Sequence, residues 1–225
     1  MKNKRQLFKI FYGKNYDNLY RGISGFFFRQ AHANLEKLNR PTYLYHEKIL
    51  EIGPGRQSHY DYIQHKKNIL EYYFYDKDIK NINYIKKKYK NKKPFFYIND
   101  LSNIKKNSLD RVICSHVIEH IIDPEKFILY IFKLLKKGGT ISITLPCDPG
   151  LLWSLGRFYN YFSFWRLKKI SKKEYYYHMA SEHVNSVQNL INIIKYNFPN
   201  SSDQFLPFRI RSINLNLMYN IIIYK

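Results

Sequence analysis

From Lys48 to Ser58 the chain reads Lys-Ile-Leu-Glu-Ile-Gly-Pro-Gly-Arg-Gln-Ser. Ile49, Leu50 and Ile52 have the apolar character of a buried strand, and Gly53 and Gly55 come directly after it, one residue apart. Glycine accepts positive φ and lets backbone approach a ligand closely, so a strand that ends this way predicts a ligand-binding turn. A Gly-x-Gly pair alone recurs by chance, and the weight comes from residues at fixed distances downstream.

Downstream of the turn, strand and helix alternate regularly. Lys48 to Ile52 is the first expected strand, with a helix starting over Gln57 to His65 after the turn. Ile69 to Tyr75 is the second strand and Ile79 to Lys90 the second helix, with Ile82 and Ile85 on its apolar side. Phe95 to Ile98 and Arg111 to Ser115 are the third and fourth strands. Pro124 to Lys136 is an apolar helix with Gly138-Gly139 as its stop, and Thr140 to Leu145 is the fifth strand. Such alternation predicts an α/β fold in which helices cover both faces of a parallel sheet. Residues 147–183 break the rhythm with Trp153, Tyr159, Tyr161, Phe162, Phe164 and Trp165 and are expected to form an insertion over the ligand edge, packed largely through these rings. Val184 to Asn197 is an amphipathic helix, and Phe205 to Ile210 with Leu215 to Tyr224 closes the chain as a hairpin. Ahead of this core, residues 1–46 are expected to supply a helical cap, with a helix over Gln30 to Leu38 ended by Arg40-Pro41 and with Phe26-Phe27-Phe28 in buried packing. The division expected is a cap over 1–46 and one domain over 47–225.

The turn lacks the third glycine of a dinucleotide fingerprint, since Ser58 stands there, and it lacks the lysine of a phosphate-binding P-loop. Glu51, two residues before Gly53, suits a cationic group better than a pyrophosphate. In these residues the sequence resembles the class I S-adenosylmethionine-dependent methyltransferases, in particular their small-molecule, type 11-like branch. The resemblance covers about residues 46–146. Glu51, Gly53 and Gly55 match the family's acid-x-Gly-x-Gly-x-Gly, with Gln57 in place of the last glycine, and Ser115-His116-Val117-Ile118-Glu119-His120 matches the segment after the fourth strand.

The resemblance implies a Rossmann-like, doubly wound, mostly parallel seven-stranded sheet with a C-terminal antiparallel hairpin and a lid-like insertion. It implies S-adenosyl-L-methionine as cofactor, bound by Glu51, Gly53 and Gly55, by Asp76 through the ribose hydroxyls, by Asp100 and Leu101 at the adenine, and by His116 beside the methionine part. Asp78 competes with Asp76 but also stands where the cap of the second helix belongs. It implies methyl transfer by in-line displacement, with His116, His120, His178 and His183 as candidates for a general base, at most one of which serves. Glu119 and His120 have a second reading, as braces of the loop that precedes Asp123-Pro124. No Asn/Asp-Pro-Pro-aromatic motif succeeds the fourth strand, and Pro146-Cys147 comes after the fifth, so the acceptor expected is a small molecule or a saccharide.

Composition bounds the partners. The formal charge of +21, from 38 Lys+Arg against 17 Asp+Glu, is the kind that attracts nucleic acid or an anionic membrane surface. Because Lys, Asn, Ile and Tyr are enriched along the whole length, the charge is assigned to solvated faces. An RNA methyltransferase is the rival enzyme reading, and a non-catalytic cofactor-binding subunit is a rival of another class. Peripheral membrane contact through the aromatic and basic stretch Leu151 to Lys169 is a further alternative. Cys114 and Cys147 form no Cys-x-x-Cys or Cys/His pattern, so neither a disulfide framework nor a metal site is expected. No signal-peptide core is recognised, and no run reaches the roughly 18 to 20 apolar residues of a membrane span, so the cytoplasm is the expected compartment.

Overall fold

A computed structural model describes residues 2–11, 22–39, 46–90, 93–166 and 170–225. Seven strands form one sheet: β1 (Lys48–Ile52), β2 (Glu71–Tyr75), β3 (Phe95–Tyr97), β4 (Leu109–Ser115), β5 (Leu135–Pro146), β6 (Ser201–Leu206) and β7 (Met218–Tyr224). Their order is β3-β2-β1-β4-β5-β7-β6. The pairings among β1 to β5 are parallel, and β7 runs antiparallel to both β5 and β6, so the expected C-terminal hairpin is present. The direction of winding reverses at β1, which lies between β2 and β4, and in sheets of this kind ligands bind at the carboxyl ends of the strands beside that point.

Among the described residues the helices are α1 (Lys4–Phe11), α2 (Gly22–Leu38), α3 (Ile79–Tyr89), α4 (Pro124–Leu134), α5 (Leu151–Arg166), α6 (Lys172–Glu182) and α7 (Val187–Asn197). None is long and apolar enough to cross a membrane. One sheet face is hydrophobic over its centre: Leu50, Val112, Ile141, Ile143 and Ile221 pack with Ile128 and Ile131 of α4 and Leu190 and Ile194 of α7. On the other face α3 meets Tyr72, Phe74 and Ile113 through Ile82 and Ile85. Beneath α2, however, that face is polar and still buried, with Arg111, Thr140, Ser142, Thr144 and Asn220 pointing into it.

Hydrogen bonding makes this polar layer tolerable. Arg111 pairs with Glu36 of α2 and donates through Nε to Ser142 Oγ at 2.8 Å. His59 Nε2 is 2.7 Å from the same Glu36 carboxylate. Thr144 donates to Asn220 Oδ1 at 2.8 Å, and Asn220 donates to the Ala31 carbonyl at 2.9 Å. Burial would raise the Glu36 carboxyl, but Arg111 and His59 outweigh it and hold the group well below the carboxylate range. Burial holds His32 far below the usual histidine range, helped by His59, and it lowers His46 to about 3, helped by Arg111.

Several boundaries differ from the sequence expectation. α2 starts at Gly22, not Gln30, and its first turns carry exposed Ile23 and Phe26, so only part of the Phe26–Phe28 cluster is packed. The Arg40-Pro41 stop lies outside the described residues. After the glycine turn there is no α-helix over Gln57 to His65 but two single 3₁₀ turns, His59–Tyr62 and Lys66–Asn68. Glu51 takes the His59 N–H and Ser58 takes that of Tyr60, while 57–65 offers only Tyr60 and Ile63 as a possible stripe, too little to anchor a longer helix. Gly138-Gly139 is not a helix stop. α4 ends at Leu134, and the glycines sit within β5 where its register against β4 shifts between Leu109 and Arg111. Gly138 has φ +80°, and a Cβ on Gly139 would lie 3.0–3.2 Å from three backbone oxygens, which is the geometry of a bulge that only glycine fills. The hairpin's first strand is Ser201–Leu206, earlier than Phe205 to Ile210, because Pro207 cannot continue the ladder.

Candidate active site at the carboxyl edge of the sheet

Backbone builds the first half of the site. Gly53 (φ +66°) donates to the Tyr75 carbonyl at 2.7 Å, extending the β1–β2 ladder past the last strand residue. Gly55 (φ +53°) donates to Asp76 Oδ2 at 3.1 Å. Asp76 therefore stands at the same edge as the turn, facing it. Its carboxylate also accepts from Asp78 N at 2.8 Å and Asn81 Nδ2 at 3.1 Å, and burial raises its pKa in spite of these bonds. Asp78 accepts from Lys80 N at 3.0 Å and caps α3, so the two acids have separate positions and separate partners.

Glu51 is buried beneath the turn. Its oxygens accept from Ser58 Oγ at 2.5 Å, His59 N at 2.6 Å and Tyr72 Oη at 2.8 Å, an arrangement that fixes the path of 53–59 from below. Burial raises its pKa. Asp100 is exposed at the end of β3 and accepts from Ser102 N at 2.8 Å, capping the short turn Leu101–Asn103, while Leu101 packs on the hydrophobic face. The hydrogen bonds from Ser102 lower the Asp100 carboxyl. The segment after β4 closes on the turn from the other side: a Cβ on Gly53 would lie 2.6 Å from Val117 Cγ2.

Side chains build the second half. His116 takes φ +57°, its N–H donates to the Thr144 carbonyl at 2.9 Å, and its ring meets Phe28 of α2 edge-on at 4.8 Å. Its Nδ1 is 3.6 Å from Glu119 Oε1. Glu119 is buried and its backbone carbonyl accepts from Val184 N and Asn185 N at 3.0 and 3.2 Å, which ties the segment after β4 to the end of α6. Burial opposes its ionisation, but His116, His120 and His183 outweigh that and hold its carboxyl below the usual range. His120 donates through Nδ1 to the Glu182 carbonyl at 2.7 Å. His183 donates through Nδ1 to Asp148 Oδ2 at 2.9 Å, and Arg157 reaches the same oxygen at 3.2 Å. Burial works against a charged His183 ring, yet Asp148 and Glu119 raise its pKa.

The four candidate histidines are thus divided. His116, His120 and His183 surround Glu119, whereas His178 is fully buried elsewhere, stacked on Phe11 at 4.0 Å where α1 and α6 meet around Leu7 and Tyr175. Its position in a helix–helix contact comes from α1, whose partner helix the sequence did not identify. Asp148 and Arg157 were not singled out from the sequence; an acid two residues past the fifth strand, at a sheet edge already assigned to a ligand, was the available signal. On α5, Tyr159 and Phe162 are exposed together with Leu151, Leu155 and Phe158, so the insertion is less packed than expected. The side chains of Phe164 and Trp165, and residues Leu167 to Lys169, lie outside the described residues.

Residues 50–143 match a family described as the methyltransferase domain. No curated protein matches the sequence. Among solved structures the chain is similar to a plantazolicin methyltransferase in complex with S-adenosylhomocysteine, with a TM-score of 0.63 and 15% identity over 99% of this chain and 95% of that one. It is similar also to an S-adenosylmethionine-dependent methyltransferase from Archaeoglobus fulgidus, with a TM-score of 0.59 and 16% identity over 88% and 94% of the two chains. A carbon methyltransferase, CurJ, gives a TM-score of 0.58 at 14% identity over 86% of this chain and 53% of its own.

Proposed function

We infer that this chain, which carries a class I S-adenosylmethionine-dependent methyltransferase domain, methylates an oxygen or nitrogen of a small-molecule or saccharide acceptor. The observation that carries the cofactor half is the bond from Gly55 N–H to the Asp76 carboxylate at the joined ends of β1 and β2. It places an acid beside a glycine turn that packs too closely against Val117 to admit a Cβ at Gly53. Asp76 has spent three hydrogen bonds on Gly55, Asp78 and Asn81, and a carboxylate accepts about four, so it keeps capacity for a ribose hydroxyl. Asp100 and the Leu101 N–H are assigned to the adenine, Gly53 and Gly55 to close backbone approach, and the His116 segment to the methionine part. Glu51 acts from beneath by holding the turn through Ser58 and His59.

When bound, S-adenosylmethionine supplies a methyl group activated by its sulfonium, which leaves S-adenosylhomocysteine as a C–S bond breaks and a C–O or C–N bond forms. The protein's contribution is chiefly alignment, which accounts for roughly 7–11 kcal/mol of a barrier when reacting groups are held in line. His120 and His183, each oriented through Nδ1, stand at the polar side assigned to the acceptor's heteroatom. Asp148 after β5, Arg157 of α5 and His183 at the end of α6 supply the acceptor side.

The test is release of S-adenosylhomocysteine from purified protein given S-adenosylmethionine and either the low-molecular-weight or the RNA fraction of a cell extract. Turnover with the small-molecule fraction, and a product heavier by one methylene, supports the assignment. Turnover confined to RNA overturns the acceptor class, and none with either fraction overturns catalysis.

A further inference from the structure

We propose that Glu119, His120 and His183 form a binding site for one divalent first-row transition-metal ion at the acceptor side of the methyltransferase edge. The ligand atoms of these three residues all lie within 4.8 Å of one another, with Glu119 Oε1 4.0 Å from His120 Nε2. Donors on a tetrahedral ion at bonds of about 2.0–2.2 Å sit roughly 3.3–3.5 Å apart, so side-chain rotations of about 1 Å close the set.

Three further features separate this cluster from a chance meeting of polar groups. Both imidazoles are pinned by groups that can only accept: Nδ1 of His120 faces the Glu182 carbonyl and Nδ1 of His183 faces Asp148. The proton of each neutral ring is thereby fixed on Nδ1, leaving the Nε2 lone pairs to ligate, which is the outer-shell arrangement that metal-binding histidines use. Glu119 Oε2 is buried and accepts no hydrogen bond, an unmet demand that a cation fills. Finally, the cluster is held by the main chain, since Val184 and Asn185 both donate to the Glu119 carbonyl. The Glu119 side chain is 2% exposed while those of His120 and His183 are 31% and 15% exposed, so the site is anchored below and open above.

Two imidazoles with one carboxylate favour zinc, iron, cobalt or nickel over magnesium or calcium, which demand an oxygen shell. Three protein ligands leave open positions on the ion. With the methyltransferase assignment as premise, one of these receives the acceptor's hydroxyl oxygen, fixing it and easing loss of its proton.

The experiment uses the untagged full chain, stripped with a chelator and titrated with Co²⁺ while visible absorption is followed, then challenged with Zn²⁺. One equivalent of Co²⁺ with ligand-field bands that Zn²⁺ bleaches is expected. His120→Ala, His183→Ala and the near-isosteric Glu119→Gln should each weaken Co²⁺ binding at least tenfold. Absence of bands in the wild type, or bands unchanged in all three variants, overturns the site. S-adenosylhomocysteine calorimetry on the same samples reports folding and the cofactor half. A failed metal titration with intact nucleoside binding strikes only this proposal, and lost binding in the wild type strikes the methyltransferase assignment.

Discussion

Gly53 and Gly55 are placed by bonds to Tyr75 and Asp76 at the end of the neighbouring strand, and their support comes from Glu51 of the strand before them. His183, at the same edge of the sheet, is placed by Asp148 after β5, by the end of α6, and by the main chain of Glu119 far earlier in the sequence. The side assigned to the cofactor is therefore backbone held by a short-range frame, and the side assigned to the acceptor is side chains held by long-range packing. A cofactor common to many enzymes calls for a cradle whose shape barely changes. An acceptor particular to one enzyme calls for positions that a few substitutions can rewrite.

That contrast can be broken at its foundation first. Glu36 lies beneath the turn, pairing with buried Arg111 and with His59. Glu36→Ala leaves the Arg111 charge unmatched and should cost about 3–5 kcal/mol of stability, read as a lowered denaturant midpoint. The same layer sets an acid limit. His32 and His46 have folded pKa values far below those of the unfolded chain, so unfolding takes up protons. Stability should fall as pH drops below about 6.5, with the His46 contribution declining until pH reaches about 3, and Glu36, whose pKa is also depressed, adds to the loss at lower pH. A flat stability profile between pH 7 and 4 would contradict the buried layer.

Gly53→Ala tests the cofactor side alone. The added methyl meets Val117 at 2.6 Å and forces a non-glycine residue into φ +66°, a strain of roughly 1–3 kcal/mol before the clash is counted. Nucleoside binding should weaken at least tenfold while the fold persists. Asp148→Asn tests the acceptor side alone, since it removes the charge that orients His183. Turnover should fall by about 10- to 100-fold, with S-adenosylhomocysteine affinity within a factor of two of the wild type. If that variant lost cofactor affinity as well, the two halves would not be separable.

The same contrast explains what the sequence disclosed. β1, its glycine turn and Asp76 were legible because each rule involved is local: an apolar run, a backbone conformation only glycine takes freely, and an acid at the next strand's end. The 3₁₀ turns after Gly55 were not, because Ser58 caps a start that Tyr60 and Ile63 alone give too narrow an apolar stripe to extend. The bulge at Gly138-Gly139 looks like a helix stop until the pairing with Leu109 is known. The polar layer beneath α2 escaped because Arg111, Ser142 and Thr144 acquire their meaning from Glu36 and Asn220, far away in the chain. His178 and His183 look alike in sequence, five residues apart, yet one faces Phe11 and the other Asp148.

The central claim is that the bend at Gly53 and Gly55, with Asp76 opposite, holds a sulfonium nucleoside. Titration calorimetry of S-adenosylhomocysteine into the wild type and into Asp76→Ala tests it directly. Saturable one-to-one binding, weakened at least tenfold by the substitution, is the predicted result. No heat with the wild type, or equal affinity in both proteins, would contradict it.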